Sequence, residues 1–120
     1  MENPEQITAA LKQFIGSGII YQHWLGIGFT EGVKYLADAA EAYWLIDSIA
    51  SHQTKRFLSN TKLQNFQIWL LSVKEKSGTL ICESDTGKEV LRQEIEYTDF
   101  PINSIKVYLI SKVLMLPTEY

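Results

Sequence analysis

The sequence has 120 residues, of which 46% are hydrophobic, 21% charged and 12% aromatic, and its formal net charge is −3. These proportions are typical of one folded domain, and a chain of this length can bury a core without disulfides or a structural metal. The mild net charge argues against strong non-specific binding to nucleic acids or membrane surfaces.

The cysteine content and the first residues favour a cytoplasmic protein. Cys82 is the single cysteine and cannot form an internal disulfide. Residues 1 to 6 contain acids where a signal peptide would contain lysines. The longest uncharged stretch, residues 13 to 30, includes four glycines and is too polar to span a bilayer. We therefore expect no membrane association.

The first helix has a clear start signal. Asn3 is a good N-cap, Pro4 suits the first helical position, and Gln6 completes a capping box. Apolar residues then follow with helical spacing: Ile7, Ala10, Leu11, Phe14 and Ile15. The pattern predicts a helix over residues 4 to 15 that Gly16 ends.

Residues 16 to 32 contain five of the seven glycines. This composition predicts a short strand or extended segment around residues 20 to 25, followed by a glycine-rich turn. Thr30 is a suitable N-cap for a following helical region, residues 31 to 52. Spacing alone leaves open whether that region is one helix or two helices separated by a kink near Ala40–Ala42.

After residue 60 the hydrophobic period becomes that of strands. The predicted strands are 66–73, 79–83 and 89–97, followed by a hairpin of 105–110 and 113–116 that turns at Ser111 and Lys112. We therefore predict a single α+β domain over residues 1 to 120. In it, N-terminal helices pack on one face of a four- or five-stranded antiparallel sheet.

Two glycine-containing segments resemble nucleotide-binding loops only superficially. In the segment from Gly26 to Gly32 the third glycine is one position late for a dinucleotide-binding turn, and no second βαβ unit follows. Thr86-Gly87-Lys88 lacks the other residues of a phosphate-binding loop. Metal-ligand spacings are also missing. We therefore expect neither a cofactor nor a metal.

The polar residues that could support catalysis are few. His23, Asp47 and His52 are candidates for a small hydrolase or a nucleic-acid-processing enzyme. Asp47, Ser51 and His52 could also form a polar cluster near one helix end. We expect that His23, Asp47 and His52 do not converge in an open cleft, so the sequence predicts no catalytic residue.

The aromatic residues of the first half include one candidate binding surface. Tyr21, His23 and Trp24 lie beside glycines, in a segment where side chains have fewer neighbours. We expect Tyr21 and His23 to be accessible to solvent, whereas Trp24 alone is better explained as a residue that caps the core.

Four segments resemble a small bacterial family that is characterised only as a domain of unknown function: 21–25, 30–37, 42–51 and 117–120. The resemblance spans nearly the whole chain and implies an accessory protein of bacteria or mobile elements, with no known activity or cofactor. The family pattern has Asp at Glu31 and Gly at Glu41. The second difference favours a more continuous helix here.

These observations together predict a non-enzymatic module that binds a protein partner, with the hydrolase or nucleic-acid-processing enzyme as the alternative. Lysines and arginines of the strand region alternate with acids, so no continuous positive stripe forms and we expect no tight binding to duplex DNA. The partner and the oligomeric state cannot be derived from the sequence.

Overall fold

The structure, a computed structural model, describes residues 3–16 and 18–120. Within these residues the α-helices are α1 (Pro4–Leu11), α2 (Glu31–Ala39) and α3 (Tyr43–Ser51). The strands are β1 (Ile20–Gln22), β2 (Gly28–Thr30), β3 (Phe66–Lys74), β4 (Ser77–Glu83), β5 (Glu89–Ile95), β6 (Ser104–Ile110) and β7 (Val113–Met115). Short 3-10 turns span Phe57–Ser59, Thr61–Leu63 and Pro117–Glu119.

Helix α1 begins as predicted but ends early. The Asn3 side chain accepts a hydrogen bond from the Gln6 backbone, and the Gln6 side chain completes the capping box. The prediction that the helix continues to residue 15 is wrong, because it ends at Leu11. The chain then turns so that the ring of Phe14 packs 5.5 Å from that of Tyr35, and Ile15 is left 82% exposed.

The region from 31 to 52 forms two helices. The Thr30 side chain caps α2 by accepting a hydrogen bond from the Val33 backbone at 3.3 Å. At the end of α2, Glu41 adopts a left-handed φ of +52°, and the Ala42 N–H donates to the Ala37 carbonyl. This is a Schellman ending, in which a glycine is usual at the left-handed position. The expectation that Glu41 favours a continuous helix is therefore wrong.

The sheet is larger than predicted and mixed. Its strand order is β1-β2-β7-β6-β3-β4-β5, in which β2 and β7 are parallel and all other neighbours are antiparallel. The prediction of four or five antiparallel strands missed the β1–β2 hairpin, which the glycine-rich segment adds at the edge. Gly28 permits this close packing, since a Cβ there would lie 2.7 Å from a side-chain carbon of Ile20.

The helices cover one face of the sheet. The core side chains of that face are buried, and they include Trp69, Leu71, Leu80, Cys82, Val107, Leu109 and Leu114. The alternate residues point to the other face, which we call the helix-free face, because within the described residues no α-helix packs on it. No helix in the described part of the chain is long and apolar enough to cross a membrane.

The C-terminal turn is attached to the start of α2. The Glu119 carboxylate accepts hydrogen bonds from the Thr30 hydroxyl at 2.6 Å, the Leu116 N–H at 3.0 Å and the Gly32 N–H at 3.3 Å. A carboxylate is favourable at this helix end because the exposed N–H groups carry partial positive charge. The closing residues of the chain are therefore part of the folded domain.

Candidate functional site

The turn between β1 and β2 is the candidate site, and we call residues 23–27 the hairpin tip. The backbone of this tip is closely hydrogen-bonded: the His23 N–H donates to the Ile27 carbonyl at 2.8 Å, and the Gly26 N–H donates to the His23 carbonyl at 3.0 Å. Gly26 has a φ of +99°, which favours glycine. The tip is therefore an ordered turn.

The imidazole of His23 joins the hairpin tip to α3. Its Nδ1 accepts a hydrogen bond from the Leu25 N–H at 3.0 Å, so Nε2 carries the ring proton and donates to Asp47 Oδ1 at 2.6 Å. The His23 side chain is only 7% exposed, whereas that of Asp47 is 60% exposed. Because both ring nitrogens have protein partners, the geometry gives His23 a positioning role.

Trp24 is displayed at the hairpin tip. It is 82% exposed, its indole stacks on the His23 ring at a centroid distance of 5.7 Å, and the neighbouring Leu25 is 41% exposed. The sequence expectation is thus reversed: His23 is the enclosed residue and Trp24 the accessible one. The reason is that hydrogen bonds at both nitrogens hold His23 inward, which directs the adjacent side chain outward.

Tyr21 is half-buried and held by other residues. Its ring stacks on Phe29 at 5.6 Å, and the Lys34 ammonium lies 5.5 Å from the ring centroid. Lys34 donates to Asp38 at 2.7 Å, and the Tyr43 hydroxyl donates to the same carboxylate at 2.6 Å. These hydrogen bonds lower the pKa of Asp38, and the one from Lys34 has the largest effect. The Asp38 hydrogen bond in turn raises the pKa of Lys34 and that of Tyr43.

The polar residues proposed as a cluster have separate partners. Asp47 accepts from His23, the Ser51 hydroxyl donates to the Ser48 carbonyl at 2.7 Å, and His52 Nε2 lies 2.8 Å from the Gln93 side-chain oxygen. The His52 ring also stacks on Trp69 at 5.7 Å. The structure therefore does not form the Asp47, Ser51 and His52 cluster. It brings His23 and Asp47 together, whereas His52 contacts Gln93, so the three side chains do not share one hydrogen-bonded group.

A cavity of about 180 Å³ opens beside the hairpin tip. Both apolar and polar residues line it: Leu25, Gly26, Ile27, Gln53, Leu58, Leu63, Gln64, Gln67, Leu109 and Lys112. A cavity of about 150 Å³ holds a benzene ring. This cavity therefore has room for one aromatic or aliphatic side chain.

A buried amide network contributes Gln53 and Gln67 to the cavity lining. Gln67, 2% exposed, and Gln53 exchange hydrogen bonds at 2.7 and 2.9 Å, and the Trp69 indole N–H donates to Gln67 at 2.8 Å. Gln67 also donates to the Leu63 carbonyl at 2.9 Å. This network was not predicted from the sequence. Its only signal was an amide residue inside the apolar run of β3.

Five of the residues that line this cavity belong to a segment that carries positive charge. Residues 48 to 74 contain Lys55, Arg56, Lys62 and Lys74 but no Asp or Glu, so the segment carries +4 and the rest of the chain −7. Lys112 lines the cavity from the β6–β7 turn. Within the described residues, Lys55, Arg56, Lys62 and Lys112 form no ion pair. The net charge of the whole chain does not reveal this basic segment.

The described residues contain no group of three or more His, Cys, Asp or Glu side chains that could hold a metal ion. The fold and the site define an α+β protein with a mixed seven-stranded sheet, helices on one face and an exposed apolar hairpin tip. Residues 5–120 match the model of DUF6876, a family of unknown function, and the chain belongs to that family. No curated protein and no solved structure matches the chain.

Proposed function

We propose that this protein is a non-enzymatic binding module that recognises a protein partner through the hairpin tip, as an accessory protein of a bacterium or mobile element. The observation that carries the proposal is the exposed Trp24, held on a His23 ring that is itself fixed by two hydrogen bonds. Tryptophan is enriched among the residues that dominate binding energy. A side chain on a fixed support also loses little conformational freedom when it binds.

The surroundings of the tip favour an acidic partner segment with one apolar side chain. The apolar side chain would enter the cavity next to Leu25, and an Asp or Glu residue would lie near Lys112, which lines the same cavity. Complementary charge speeds association and selects the partner more than it adds affinity. Binding should therefore weaken as the salt concentration rises.

A random peptide library displayed on phage tests this function. We expect the purified protein to select peptides that combine Asp or Glu with an aromatic or aliphatic residue. Trp24→Ala should weaken their binding by about 30-fold, because hot-spot truncations cost about 2 kcal/mol or more. The matched control is Tyr97→Ala, which removes another exposed aromatic ring, 67% exposed, away from the tip. Equal binding by Trp24→Ala and the unsubstituted protein would contradict the proposal.

The alternative function is a small hydrolase or nucleic-acid-processing enzyme that uses His23, Asp47 and His52. Catalysis by His23 would require one of its two hydrogen bonds to open, since both ring nitrogens are occupied. Measuring the hydrolysis of p-nitrophenyl esters and phosphodiesters by the protein distinguishes the two functions. Hydrolytic activity that is lost in the His23→Ala variant but kept in the Tyr97→Ala variant would favour the enzyme over the binding module.

A further inference from the structure

Apolar side chains form a continuous patch on the helix-free face. The strand register places Phe66 beside Ile110, Ile68 beside Tyr108, and Leu70 beside Ile81. Val113 and Met115 continue the first two rows onto β7. Ile68 is buried, and the other seven residues are half-buried. The patch thus crosses four neighbouring strands, β7, β6, β3 and β4.

Charged residues lie mostly around this patch. Lys106 stands opposite Leu70 on β6, and Lys74 lies at the end of β3. Arg92 stands opposite Ile81, on the edge strand β5. Tyr120 covers one part of the patch, since its ring lies 5.7 Å from Phe66 and 5.6 Å from Tyr108. The arrangement is that of an apolar centre with a polar rim.

The size of this surface suits a dimer. Strands lie about 4.8 Å apart and alternate residues about 6.8 Å apart, so each residue on this face covers about 33 Å² and the eight residues of the patch cover about 260 Å². The whole seven-stranded face measures about 700 Å² by the same spacings. A stable interface buries about 800 Å² from each partner. The interface would therefore take in nearly the whole helix-free face, with the apolar patch at its centre.

The composition of the patch favours a second copy of this chain over a transient partner. Interfaces with transient partners are about as polar as the rest of the surface, whereas homodimer interfaces are more apolar. An apolar patch also matches itself across a two-fold axis without any pairing of charges. We propose that two copies of this chain pack helix-free face against helix-free face to form a two-sheet sandwich. This proposal does not depend on the function proposed for the hairpin tip.

Light scattering coupled to size-exclusion chromatography tests the proposal. We expect the unsubstituted protein to have twice the 13.7 kDa mass of one chain. Leu70→Glu should give a folded monomer. The variant should fold because the new carboxylate lies opposite Lys106 in the same sheet. It should not dimerise because the dimer interface would remove the carboxylate from water. Met115→Lys is made in parallel at the other side of the patch, and Tyr97→Glu, outside the patch, should leave the mass unchanged.

Two results would overturn the dimer. One is a monomeric mass for the unsubstituted protein at every concentration measured, which would mean that the helix-free face does not bind a second copy of the chain. The other is a dimeric mass for a folded Leu70→Glu or Met115→Lys variant, which would place the interface elsewhere. If both variants unfold, the rate at which hydrogen peroxide oxidises Met115 in the unsubstituted protein tests the dimer instead. Its rate should fall several-fold as the concentration rises into the dimeric range, and a constant rate would overturn the proposal.

Discussion

The attachment of the C-terminal turn to α2 can be tested with Glu119→Ala. This change removes the acceptor of hydrogen bonds from Thr30, Gly32 and Leu116. Thr30 is 4% exposed, so its hydroxyl would lose a partner that water cannot readily replace. The change also removes a negative charge from the positive end of α2.

The expected loss follows from these contacts. A hydrogen bond to a charged group contributes about 1.5–3 kcal/mol, and a charge at a helix end about 0.3–1 kcal/mol. The contributions overlap and Glu119 is only half-buried, so we expect a total loss of about 2 kcal/mol. For a chain of this length, that loss lowers the melting temperature by about 8 °C.

Thermal unfolding followed by circular dichroism measures this effect. Glu96→Ala, which removes an exposed carboxylate, is the matched control and should leave the melting temperature within about 2 °C. Glu119→Gln should fall between the two, because its amide oxygen still accepts but carries no charge. Equal melting temperatures for Glu119→Ala and Glu96→Ala would refute the reasoning.

Three further predictions concern the core and pH. Gly32→Ala should lower stability by about 1–3 kcal/mol in urea unfolding, since its Cβ would lie 2.5 Å from a Glu119 oxygen and 2.7 Å from Leu116; unchanged stability would contradict this. Burial raises the pKa of Cys82 to about 12, so a thiol reagent should label the native protein only as fast as it unfolds, and rapid native labelling would contradict the buried position. Because the pKa of Asp38 is lowered in the folded protein, its contribution is complete above its ordinary pKa and disappears as pH falls through the lowered value. Asp38→Asn should therefore reduce the loss of stability between pH 5 and 2, and an identical acid profile would count against the Lys34 contact.

Local signals in the sequence predicted much of the fold. The N-cap of α1, the Thr30 cap of α2 and the turn at Ser111 and Lys112 each depend on residues that are close in sequence. Such caps and two-residue turns have characteristic residue types or backbone angles. The start of α1, the α2 cap and the β6–β7 hairpin are accordingly confirmed.

The features that sequence reasoning missed depend on contacts between distant residues. The parallel pairing joins Gly28 to Val113, far along the chain, and no local pattern indicates it. The His23–Asp47 hydrogen bond spans 24 residues, so residue type alone could not show which of the two histidines contacts Asp47. The prediction that Trp24 caps the core was wrong for the same reason, because the exposure of Trp24 depends on the hydrogen bonds of His23.

Photo-crosslinking from position 24 tests whether the hairpin tip contacts a protein partner. Trp24→p-benzoylphenylalanine keeps a large aromatic side chain at the tip, and Tyr97→p-benzoylphenylalanine places the same group at another exposed site. We expect irradiation in a nuclease-treated bacterial lysate to give a discrete protein adduct from position 24 and none from position 97. The absence of an adduct at position 24, or the same adduct from both positions, would contradict a contact between the hairpin tip and a partner.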